Sequence, residues 1–171
     1  MMEPVDQLLT IAEIGAAFAG FTAIAGVVLV NAEVKVRSQI NFWIMIEFSF
    51  ALIIFSLIPV VLFNLNVSEP AVWSLSSASM ALFIPAHIFG VGARFIMPAI
   101  RRGEFTATGP WGFVPLFLLV FSVQSANALG VGFEKSFGAY FLGLSTFILL
   151  VFTNFVSLLR QIWLGSVPHD A

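Results

Sequence analysis

The chain has 171 residues, of which 60% are hydrophobic and only 9% charged, with a formal net charge of −2 and no cysteine. A soluble domain carries about 25% charged residues, so this composition excludes an ordinary water-soluble protein and points to a single all-α integral membrane domain. The missing cysteine excludes disulfides, thiolate metal sites and a cysteine nucleophile.

The N-terminal MMEPVDQ holds Glu3 and Asp6 and no Lys or Arg. A secretory signal needs a positive start and a shorter apolar core, so the first apolar stretch is expected to be a retained helix. It covers about 8–30, LLTIAEIGAAFAGFTAIAGVVLV, and is long enough to span a bilayer. Ala12, Ala16 and Gly20 are spaced four apart, as are Gly15, Ala19 and Ala23. Small residues at that spacing let a second helix backbone come close. Glu13 sits among them, on the side of Ala16, Ala17 and Gly20. A carboxyl at membrane depth is costly, so Glu13 is expected to face protein.

A polar interval with Lys35 and Arg37 leads to a second span, about 42–63, carrying Glu47, Ser49, Ser56 and Pro59. A third, about 72–95, has a Ser-rich first half, then Pro85, His87 and Arg94. Each proline removes one N–H and frees the carbonyl four residues earlier, at Phe55 and Ala81. The longest loop holds Arg101 and Arg102; a fourth span, about 111–129, has Pro115 in its first turn and ends on Gln124, Ser125 and Asn127. A fifth, about 137–159, carries a small and polar stripe of Gly143, Thr146, Leu150, Asn154, Ser157 and Gln161. Gly15–Thr22 resembles Gly138–Ser145, which reads either as an internal repeat or as one packing surface needed twice.

Five spans put the termini on opposite sides. With the N-terminus outside, Lys35, Arg37, Arg94, Arg101, Arg102 and Arg160 lie inside and only Lys135 outside, as the positive-inside rule requires. The expected fold is therefore a bundle of five transmembrane helices, N-terminus outside and C-terminus cytoplasmic, in a bacterial inner membrane. Trp43, Trp73, Trp111 and Trp163 fall near span ends, where indoles anchor at the interface.

Seven buried polar groups are the candidate site. Glu13 is expected to lie at the depth of Gln124 and Asn127, as a carboxyl–carboxamide pair or a protonatable site. Glu47 and His87, with Arg94 seven residues beyond on the same face, and Asn154 are expected to form an inner layer. That layer reads either as a structural ion pair or as a proton relay or cation path. Ala12, Ala16, Gly20 and Gly143 are the expected close-packing positions. There is no HExxH, GxSxG, P-loop or CxxC pattern, so no catalytic residue, bound metal or cofactor is expected. One reading is an oligomeric channel or transporter for protons, cations or a small solute. The other is a non-transporting subunit or assembly partner of a larger membrane complex. The expected partners are the lipid bilayer and either further copies of the chain or a larger membrane protein, with no nucleic acid.

Overall fold

The computed structural model describes residues 3–30, 36–103 and 114–165. Everything regular among them is helical: α1 (Pro4–Val30), α2 (Val36–Asn64), α3 (Glu69–His87), a π-helical continuation (Ile88–Ile96), α4 (Met97–Arg101), α5 (Val114–Leu129) and α6 (Phe137–Gly165). Four stretches are long and apolar enough to cross a membrane: Pro4–Val27, Phe42–Asn64, Glu69–Arg94 and Phe137–Arg160. Val114–Leu129 is apolar but shorter, and the expected start of that span at Trp111 lies outside the described residues.

Local chemistry sets the helix ends. Pro4 opens α1, where its missing N–H has no helical partner to lose. Pro70 does the same in α3, and the Ser68 carbonyl takes the N–H groups of Ala71 and Val72. The end of α5 turns on Gly130 at φ 74°, a left-handed conformation that favours glycine, while Val131 N–H reaches back to Ala126 O.

Neighbouring helices run up and down. Phe63 meets Trp73 at one end of the α2–α3 pair and Phe48 meets His87 at the other. The side chains of α5 reach α3 and α6 at Ser77 and Ala139. This path gathers Arg94, Arg101, Arg102 and Arg160 at one end of the bundle and leaves Lys135 at the other. The core is aromatic, with Phe48, Phe55, Phe83, Phe117 and Phe147 in mutual ring contact at 5.1–6.0 Å.

The first helix is peripheral. It lies mainly along α2 and touches α6 through Phe18 and Phe21 on Phe155. A Cβ at Gly15 would come within 2.9 Å of the Ser49 carbonyl oxygen and 3.0 Å of Leu52 Cβ. Gly15, and not Gly20, is thus where the α1 and α2 backbones meet. Gly20 and Ala16 are exposed, and a Cβ at Gly20 would have nothing within 4 Å. Ala12 is half-buried. In α6 the roles reverse: Gly138 is open, while a Cβ at Gly143 would strike Met80 and Gln124. The two similar segments therefore pack through different glycines.

Trp73 also departs from expectation. It is 1% exposed, ringed by Phe63, Phe137 and Tyr140, and its indole N–H donates to Glu69 Oε1 at 3.2 Å. Trp43 and Trp163 are exposed as anchors would be, and Trp111 lies outside the described residues.

Candidate functional site

Glu47 is one residue before the core ring of Phe48, and His87 is the last residue of α3. The antiparallel α2–α3 pair brings them together, with His87 Nδ1 2.9 Å from Glu47 Oε1. The distance is that of an ion pair, although the imidazole N–H is not aligned on the carboxylate as a hydrogen bond. His87 is 6% exposed and Glu47 30%. Phe48, Phe83 and Phe117 enclose the imidazole at ring-centroid distances of 4.7, 5.9 and 5.5 Å. Phe48 meets the imidazole edge-on, Phe83 stacks on it and Phe117 lies tilted, so the ring sits in an apolar cage with Nδ1 toward the carboxylate.

The other expected members of this layer are elsewhere. Asn154 is buried, but its amide donates to Leu150 O on its own helix at 2.8 Å. Arg94 is exposed, in a π-helical segment that packs mainly on the neighbouring α3 and α4, and the winding also turns it from the face that seven-residue spacing predicts.

If the Glu47–His87 contact is structural, Glu47→Gln and His87→Gln should each lower stability by about 1–2 kcal/mol, tempered by the part-exposed carboxylate. The double variant should regain part of that loss. Thermal unfolding in detergent checks both. Additive losses would show that the two side chains are uncoupled.

Gln124 and Asn127 do not pair with Glu13. Asn127 Nδ2 donates to Ser77 Oγ at 2.8 Å and to Ser136 O at 3.1 Å, and its Oδ1 accepts from Ser136 N–H at 2.9 Å. One carboxamide thereby joins α3 to α5 and holds the start of α6. Gln124 Nε2 donates to Ala139 O at 2.8 Å, and Ser74 Oγ to Ala128 O at 2.6 Å. This layer stitches three helices together by side chain-to-backbone bonds.

Glu13 points out of the bundle. It is exposed and has no hydrogen bond or ion pair among the described residues. The expectation that it faces protein fails within one chain, because α1 packs by its Gly15 side and Glu13 lies on another. Its face carries Asp6, Leu9, Glu13, Ala16, Gly20, Ala23 and Val27, all exposed.

Tyr140 was not among the expected residues. Its hydroxyl, buried in the core, donates to Phe55 O, the carbonyl that Pro59 leaves without its helical N–H. The signal was there: this is the only tyrosine in a chain of 20 phenylalanines. Tyr140→Phe is expected to cost about 1–2 kcal/mol. Because Pro59→Ala returns an N–H to Phe55 O, the same change should cost less in that background. Equal losses in both backgrounds, measured by thermal melts, would show that the hydroxyl has another role.

Among the described residues no three of His, Cys, Asp or Glu come together as a metal site. Comparison of the chain with family models, curated proteins and solved structures gives no match.

Proposed function

We propose that this protein is a non-transporting membrane subunit, which assembles with another transmembrane helix through the exposed face of α1. One observation carries the reading, the composition of that face. On the other helices bulky side chains such as Val61, Leu75, Leu82, Leu149 and Phe152 recur along the outward side. On α1 an outward row with spacings of three and four runs from Asp6 to Val27, and its middle members Glu13, Ala16, Gly20 and Ala23 are small or acidic, with Leu9 and Val27 toward its ends and Phe21 and Ile24 flanking it. That spacing is the 3.5-residue seam along which two helices wind, and small residues there allow close approach. A neighbouring helix would also take Glu13 out of lipid. In this reading the acidic N-terminus lies outside and the arginine-bearing end faces the cytoplasm of a bacterium.

A photo-crosslinking residue at Ala16 in native membranes should capture a partner helix, a second copy or another protein. The same residue at Leu82 should not. Gly20→Leu should cut the yield at Ala16 at least fivefold. In proteoliposomes the purified protein should pass no more protons or cations than lipid alone.

The second reading, a proton or cation path, rests on the Glu47–His87 contact and the part-exposed carboxylate. The phenylalanine core next to His87 speaks against a path through a single chain. Flux that falls in Glu47→Gln would establish this reading and remove the first.

A further inference from the structure

After His87 the chain leaves the α-helical pitch. Ile88–Ile96 is wound as a π-helix, and at its end Met97 N–H donates to Gly92 O, five residues back. Long π segments are rare, and they gather at functional places. A π turn holds more residues than an α turn, so each successive side chain rotates by a smaller angle. His87 and Arg94 are seven residues apart. Seven residues make about two turns of α-helix at 3.6 per turn, which would set them on one face. Under π winding the same seven steps stop well short of two turns. Arg94 stands exposed and off that face, while buried His87 lies against the Glu47 carboxylate.

Two features leave this winding free to change. A Cβ at Gly90 or Gly92 would have nothing within 4 Å, so no neighbour is wedged against either turn. Glu47, at 30% exposure, is open on one side to a further partner. A guanidinium on a long flexible stem can fold back along its helix to a carboxylate.

We propose that Ile88–Ile96 is a register switch that exchanges the basic partner of Glu47. In the π winding Glu47 is held by His87. In the α winding Arg94 returns to the His87 face and takes the carboxylate. Both windings leave Glu47 beside a basic side chain, and the α winding leaves His87 alone in its phenylalanine pocket. The π form is the shorter along its axis. Rewinding therefore also carries α4, with Arg101, away from the rest of the bundle. The exchange needs no particular reading of the α1 face.

Spin labels test this, since the chain has no native cysteine. Cysteines replacing exposed Ala93 and exposed Ile54 report the rotation and length of the π segment against α2. Pulsed distance measurements in liposomes should give two populations. Arg94→Gln should at least halve the α-wound one, and His87→Gln should at least double it. Arg94→Lys should keep both. Thermal melts on each labelled variant confirm that the bundle is folded. A single distance, or two distances whose ratio ignores both substitutions in folded protein, would overturn the switch.

Discussion

Replacing Gly15 by leucine is expected to pry α1 from α2. The Cβ alone would lie 2.9 Å from a backbone oxygen of α2 and 3.0 Å from Leu52 Cβ and Ile53 Cγ1. A backbone atom cannot swing aside as a side-chain tip can, so the helices themselves must separate. Overpacking of this kind costs about 3 kcal/mol, a fall in Tm on the order of 10 °C. Gly20→Leu is the control, five residues along the same helix. Its side chain would enter open space, so the melt of the isolated chain should stay within about 1 °C of the parent. Detergent melts of the two variants decide the matter. If they fell together, Gly15 would not be the point where the two backbones meet.

Asn127→Leu is expected to be as damaging for a different reason. Its carboxamide makes three hydrogen bonds, to Ser77 Oγ, Ser136 O and Ser136 N–H. Leucine is close in size and removes all of them, leaving the buried Ser77 hydroxyl and the Ser136 backbone without those partners. Buried groups stripped of a partner cost about 1–3 kcal/mol each, so a total of about 3 kcal/mol is expected. The damage should be local at first. Hydrogen exchange should quicken in residues 136–140, at the start of α6, before the rest of the bundle responds. Ser77→Ala, which removes one of the three bonds, should lose about 1 kcal/mol. Equal protection of residues 136–140 in Asn127→Leu and in the parent would show that the amide does not hold that turn.

Much of this architecture was legible in the sequence because a bilayer forces it. Long apolar runs must be helices, and at membrane depth Glu47 needs a partner, which His87 supplies at 2.9 Å. The Phe55 carbonyl freed by Pro59 followed from covalent chemistry, and Tyr140 occupies it. The packing face of α1 was not legible. Gly15, Ala19 and Ala23 offer as good a small-residue row as Ala12, Ala16 and Gly20. In lipid the outer side of a helix is as apolar as the inner, so no contrast in polarity separates the rows. Trp73 was misplaced for a related reason. Nearness to a span end suggests an interface, but the aromatic neighbours that bury it come from α2 and α6, far away in sequence. The displacement of Arg94 came from the pitch of one helix, which seven-residue spacing assumes and does not report.

The phenylalanine layer divides the polar interior in two. Along α3, Phe83 comes between Ser77 and His87, and along α6, Phe147 lies beyond Gly143 from Ser136. With Phe48, Phe55 and Phe117 these rings form an apolar slab between the carboxamide layer and the carboxylate–imidazole pair. The part-exposed Glu47 lies on one side of that slab and the Asn127 hydrogen bonds on the other, so the two polar layers have no polar link through the rings. A substitution in one layer should therefore leave the hydrogen bonds of the other intact.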